Sequence, residues 1–107
     1  MSFPEISVAE LSDRLAAGEP LFDVRQPDEY RDGHAPGAVL VPLGEVPDRL
    51  AEFPTGTRVQ IICRSGGRSA NACAFLSERG VDAVNVAGGT LAWIDAGYEV
   101  VTGESPQ

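Results

Sequence analysis

Val59-Gln-Ile-Ile-Cys-Arg-Ser-Gly-Gly-Arg-Ser69 passes from an apolar, β-branched run through a cysteine into a segment with helical spacing. Val59, Ile61 and Ile62 favour extended backbone. Arg68–Arg79 reads as a helix, stopped by Gly80. A strand that feeds a helix through a short loop is the unit from which parallel α/β sheets are built.

The same alternation continues in both directions. Ser7-Val-Ala-Glu10 is a capping box before Val8, Leu11 and Leu15, and Gly18 ends that helix. Pro20–Val24 and Ala38–Val41 read as short strands, and a short helix from near Pro47 would bury Val46, Leu50 and Phe53. Arg58–Cys63 is the clearest strand. Ala83–Ala87 is a further one, and Thr90–Ala96 is a helix closed by Gly97, with Leu91, Trp93 and Ile94 on its face and core. The pattern predicts an α/β domain with a largely parallel sheet covered on both faces. In such sheets the site lies beyond the carboxyl ends of strands, here just after Val24 and just after Ile62.

Composition narrows the function. The 107 residues suffice for one domain, and 43% are hydrophobic. The longest apolar run, Ala72–Leu76, is too short for a transmembrane helix. Met1-Ser-Phe-Pro-Glu5 has neither a basic start nor an apolar stretch, so no secretory leader is expected. Eight basic residues, all arginine, face 16 acidic ones, a net charge of −8. That balance argues against nucleic acid or anionic lipid as a partner. Two cysteines without a leader suggest free thiols in a reducing, cytoplasmic setting. Thr102–Gln107 is polar and expected to fray as a flexible tail.

The chemistry concentrates in Cys63-Arg-Ser-Gly-Gly-Arg-Ser69. Gly66 and Gly67 permit unusual dihedrals that turn N–H groups inward. The helix start aims its positive end at the same spot, and Arg64 and Arg68 add charge. Such a site favours thiolate over thiol at Cys63 and supplies donors for an anion or a second sulfur. Four residues separate Cys63 from Arg68. The cysteine-phosphatase loop is one residue longer and cradles a tetrahedral oxyanion. The shorter ring suits a single sulfur atom on Cys63. With one histidine and two separated cysteines, no metal site of usual spacing is formed, and Gly88-Gly89 lacks the rest of a nucleotide fingerprint, so no cofactor is expected.

Three stretches resemble the rhodanese-like sulfurtransferases: Asp23-Val-Arg-Gln-Pro-Asp-Glu-Tyr-Arg-Asp-Gly-His-Ala-Pro-Gly-Ala38, the loop Cys63–Arg68, and Gly88-Gly-Thr-Leu-Ala-Trp93 with Ala96-Gly-Tyr98. The resemblance covers about residues 5 to 101. The departures are Ala35, where the family often has a larger aliphatic, and Cys73, where it often has alanine. The resemblance implies one three-layer domain over 1–107, a five-stranded mostly parallel sheet with helices on both faces. It also implies a reaction: Cys63 attacks the sulfane sulfur of thiosulfate or a persulfide, a Cys63 persulfide forms, and a thiol or cyanide removes the sulfur. Arg64, Ser65, Gly66, Gly67, Arg68 and Ser69 are then the substrate-binding set, Arg64 and Arg68 guiding an anionic donor and Arg68 also closing the loop.

Other residues read as support. His34, the sole histidine, is taken as a loop residue with its ring nitrogens bonded to backbone, against a role as base or proton donor. Asp23 and Arg25 face one side of a strand end, and Arg25 is expected to pair with Glu29 or Asp28. Cys73 lies on the apolar arc of its helix, a core position rather than a resolving thiol. Asp28, Glu29 and Asp32 form a solvated acidic face. Competing functions are a sulfur-carrier or regulatory module acting with a protein sulfur acceptor, and, further off, a cysteine phosphatase or arsenate reductase.

Overall fold

Strand β4, Arg58–Ile62, divides the core because its side chains alternate. Val59 and Ile61 pack with Phe22, Val46, Phe53, Cys73 and Leu76 on one face of the sheet. Ile62 packs with Leu11, Leu21, Tyr30, Val84 and Trp93 on the other. The computed structural model describes residues 3–107; Met1 and Ser2, the start of the stretch read for a leader, lie outside the described residues. Around β4 the order is β1 (Glu5–Ile6), α1 (Val8–Ala16), β2 (Leu21–Asp23), α2 (Pro27–Asp32), β3 (Val39–Leu40), two 3₁₀ turns (Leu43–Glu45, Leu50–Glu52), β4, α3 (Gly67–Glu78), β5 (Asp82–Val86) and α4 (Gly89–Asp95). The five strands lie in the order β1-β5-β4-β2-β3, every pair parallel, with helices on both faces. β4 is thus the middle strand, and the loop after it opens at the centre of the sheet.

Several elements differ from the sequence reading. β1 has only two residues, too few to show alternation, and it supplies the fifth strand by pairing Glu5 with Asn85 and Ile6 with Val86. The helix near Pro47 is replaced by the two 3₁₀ turns. Pro47 has no N–H to extend an α-ladder, and the segment closes through tight bonds such as Val46 N–H to Leu43 O and Phe53 N–H to Leu50 O. Val46 and Phe53 are buried there, but Leu50 is only half-buried. Only half of the first capping box forms: Ser7 Oγ accepts from Glu10 N–H at 3.2 Å, while the Glu10 carboxylate goes to Arg14 at 2.6 Å. Leu91 and Ile94 are exposed, leaving Trp93 as the buried anchor of α4. No helix among the described residues is long and apolar enough to cross a membrane.

The segment expected to fray is bound to the body. Val101 forms a two-bond antiparallel bridge with His34, Gly103 N–H donates to Arg31 O, and Gly37 N–H donates to Pro106 O. His34 is fully buried and stacks on the Tyr30 ring, with Nδ1 2.7 Å from Tyr30 O and Nε2 2.9 Å from Ser105 O. The polar residues 102–107 therefore stay in place through backbone bonds rather than apolar burial.

Arg25 takes a partner other than Glu29 or Asp28. Its Nε and Nη2 donate to the Asp23 carboxylate at 3.0 and 2.7 Å, and Nη2 also reaches Gly33 O at 2.8 Å. Two residues apart on one side of an extended strand end, the groups meet directly, and Glu29 is occupied elsewhere. Asp23 is fully buried, so removing the guanidinium leaves an uncompensated charge, a loss of about 3–5 kcal/mol. Arg25→Ala is expected to lower Tm by more than about 10 °C in a thermal melt; a shift of a degree or two would show that the pair does not hold this corner.

Candidate active site

Cys63 follows the last residue of β4, and its sulfur sits on the floor of the loop that leads to α3. The Gly66 N–H donates to Sγ at 3.1 Å, and the Ser69 hydroxyl lies 3.2 Å from the same atom. Burial pushes the thiol up, but the Ser69 hydroxyl and the N–H groups of Ser69, Gly66 and Ser65 outweigh it and hold Cys63 below its ordinary value. Hydrogen bonds from the loop, more than the arginine charges, favour the thiolate. Of the two glycines only Gly66 needs a positive φ, +114°; Gly67 is the first residue of α3 and a Cβ there would meet nothing.

The loop is shaped from behind by α4. Thr90 N–H donates to Cys63 O at 2.8 Å, Leu91 N–H to Arg64 O at 3.1 Å, and Thr90 Oγ1 to Cys63 O at 3.0 Å. These bonds draw the loop carbonyls toward α4 and leave the loop N–H groups on the sulfur side. Gly89 makes the approach possible: a Cβ there would stand 2.5 Å from Cys63 O and 2.6 Å from Arg64 O. Sequence reasoning saw Gly88-Gly89 only as a failed nucleotide motif or as part of a resemblance, and it missed Thr90. The adjacent glycines at a strand-to-helix junction were the available signal.

The arginines divide their work. Arg68 places Nη1 and Nη2 on the Glu29 carboxylate at 2.7 and 2.9 Å, joining α3 to the first turn of α2. Glu29 Oε1 also accepts the Gln26 N–H at 3.0 Å. Arg64 is exposed and makes no side-chain hydrogen bond among the described residues, as are Ser65 and Gly67 exposed at the rim. Asp23 and Arg25 pair at the end of β2, and both His34 nitrogens face backbone carbonyls. Cys73 is fully buried in the face of the core behind the loop, a free thiol that burial pushes up to about 12. Among the described residues no group of three or more His, Cys, Asp or Glu side chains could hold a metal. A cavity of about 640 Å³ lies at the amino ends of β2 and β3, lined by Leu15, Leu21, Trp93 and Tyr98 among others, and it touches no residue of the Cys63 loop. The Cys63 sulfur therefore lies at the opposite end of the sheet.

A cysteine at the carboxyl end of a central parallel strand, its sulfur facing loop N–H and hydroxyl donors, marks a protein of the cysteine-loop α/β class. The family model of the rhodanese-like domain matches residues 7–96, and the chain belongs to that family. It is 42% identical over 103 residues to a sulfurtransferase of Allochromatium vinosum, covering 94% of this chain and 96% of that one. It is 39% identical over 75 residues to the thiosulfate sulfurtransferase PspE of Escherichia coli, covering 68% and 72%. Among solved structures, a rhodanese-related protein of Thermoplasma volcanium superposes with a TM-score of 0.89 at 33% identity, covering 94% of this chain and 100% of that one.

Two expectations follow from the loop supports. Glu29 is drawn down from 4.5 to about 2, chiefly by the Arg68 hydrogen bonds, against burial and with help from the Gln26 N–H. A carboxylate lowered on folding stabilises the protein fully above its unfolded value and loses that contribution as pH falls through the folded value. The stability gap between wild type and Glu29→Gln should stay constant above pH 4.5 and close as pH falls toward about 2, as read by denaturant melts. A gap independent of pH would mean that the ionised carboxylate adds nothing beyond its pH-independent contacts. Gly89→Ala should displace the loop carbonyls and slow Cys63 alkylation at neutral pH about tenfold or more; alkylation at the wild-type rate would show that α4 does not shape the loop.

Proposed function

We propose that this single domain transfers sulfane sulfur from thiosulfate, or from a persulfide donor, to a thiol or cyanide acceptor through a persulfide on Cys63. The observation that carries this reading is the Cys63 sulfur held by loop N–H groups and the Ser69 hydroxyl at the end of β4. The Cys63 thiolate attacks the outer sulfur of thiosulfate. A bond forms between the two sulfurs, the original S–S bond breaks, and sulfite leaves with its electron pair. The outer sulfur of the new persulfide carries the negative charge among the loop donors. A thiolate or cyanide then attacks that sulfur and returns the electron pair to Cys63. The scheme needs no general base beside the cysteine, and it predicts ping-pong kinetics.

Within the scheme Arg64 is the cation free to meet an anionic donor and the departing sulfite, and Arg68 keeps the loop closed through Glu29. Ser65, Gly66 and Ser69 hold sulfur through N–H and hydroxyl donors, and Gly67 starts the helix behind them. Support comes also from relatives whose names are sulfurtransferase and thiosulfate sulfurtransferase. Two free thiols fit a reducing compartment such as the cytoplasm.

Incubation with thiosulfate followed by intact-mass spectrometry tests the proposal. We expect a gain of one sulfur atom, absent in Cys63→Ser and lost on adding cyanide or a thiol. No gain on folded protein whose Cys63 still alkylates would refute thiosulfate as donor and favour a carrier charged by a dedicated protein. Hydrolysis of a phosphate ester at Cys63 would instead favour phosphatase chemistry.

A further inference from the structure

Asn85 is a buried polar residue near the carboxyl end of β5, where its strand neighbours Val84 and Val86 are apolar. It shares a sheet face with Ala83 and reaches the back of the Cys63 loop. Its Oδ1 lies 2.5 Å from Ser69 Oγ. Its Nδ2 donates to Glu5 Oε2 at 2.9 Å, across the β1–β5 register, and to Gly66 O at 3.3 Å. Those two partners are acceptors only, so they fix the amide: turning it over would set Oδ1 against a carboxylate and a carbonyl.

Ser69 therefore stands between two acceptors, Asn85 Oδ1 at 2.5 Å and Cys63 Sγ at 3.2 Å. A hydroxyl has one hydrogen. When Cys63 is a thiol, Ser69 can donate to Asn85 and accept the S–H. When the thiol proton has left to solvent, the sulfur needs a donor, and the hydroxyl can turn to it only by abandoning Oδ1. When Sγ carries a second sulfur, the charge sits on the outer atom, Sγ is a weak acceptor, and the hydroxyl can return.

We propose that Asn85 is a positioning residue that competes with Cys63 for the Ser69 hydroxyl hydrogen, so that the bare thiolate is stabilised less than the loop allows and the sulfur-loaded state is favoured over it. The inference takes Cys63 as the nucleophile of the proposed reaction, but alkylation reads the thiolate without any sulfur transfer. The charged and titratable groups around the pocket are Arg64 and Arg68 of the loop with Glu29, the Asp23–Arg25 pair beyond β2, Glu5 on β1 and Cys73 on α3. Among the described residues none of them hydrogen-bonds the Ser69 hydroxyl, which meets only Asn85 and Cys63.

The test is the rate of iodoacetamide alkylation of Cys63 against pH, on variants whose melts show a folded protein. Asn85→Leu removes the competing acceptor at similar volume, so alkylation below the wild-type midpoint should rise about tenfold. Asn85→Asp supplies a stronger acceptor and a repelling charge, so alkylation at the same pH should fall. Loss of loop order would slow both variants alike. In a Ser69→Ala background the gain from Asn85→Leu should vanish. A slower or unchanged Asn85→Leu, or a gain that persists without the Ser69 hydroxyl, overturns the proposal. If Asn85→Leu does not fold, Asn85→Asp decides through the Ser69→Ala background: slowing that shrinks without the hydroxyl supports competition, and slowing of the same size, or an unchanged or faster rate, refutes it.

Discussion

The backbone bonds from α4 to the Cys63 loop, Thr90 N–H to Cys63 O and Leu91 N–H to Arg64 O, are the constraint on which the site depends. A peptide plane has two polar ends. Once the carbonyls are satisfied behind the loop, the neighbouring N–H groups are free to converge in front of it. The sulfur then occupies a ring of donors without any cation being placed on it. That arrangement holds the Cys63 thiol below its ordinary value in a chain with a net charge of −8. The local field is made by oriented dipoles, whose effect is short-ranged and insensitive to the acidic surface.

The rest of the fold serves the same point. β4 is central, flanked by β5 and β2, and hydrophobic clusters on both faces fix its height and register. The Arg68–Glu29 pair ties the first turn of α3 to α2, so the loop is braced at its exit as well as from behind. The Asp23–Arg25–Gly33 contacts fix the connection after β2, the other strand end that faces the site. His34 and the bound C-terminal segment lock the far side of α2. Glu29 thus sits on a corner tied down by the Asp23–Arg25 pair and the C-terminal segment.

What was legible in the sequence was local. Cys63, Gly66, Arg68 and the helix start lie within a few residues, and their chemistry is set by neighbours in the chain. The β-branched run before Cys63 and the regular spacing after it fixed the parallel α/β expectation. What stayed hidden depends on distant partners. Glu29 reaches Arg68 across 39 positions, Thr90 reaches Cys63 across 27, and Asn85 reaches Glu5 across 80. The choice of Asp23 over Glu29 as the partner of Arg25 turns on which carboxylate another element has already taken. β1 escaped notice because two residues carry no period. A buried asparagine among the apolar residues of β5, and two glycines before a helix, were the marks of the hidden half of the site.

The bracing from α4 has a consequence for biosynthesis. The strand that carries Cys63 is complete at residue 62, yet the groups that turn its loop inward are Thr90 and Leu91. A chain emerging from the ribosome must extend well past the cysteine before β5 and α4 can dock. Until then the loop lacks the backbone bonds that hold its carbonyls away from the sulfur. Parallel pairing makes the delay unavoidable, since each neighbouring strand must come back through a crossover. The surroundings of Cys63 are therefore completed by an element that lies 27 positions further along the chain.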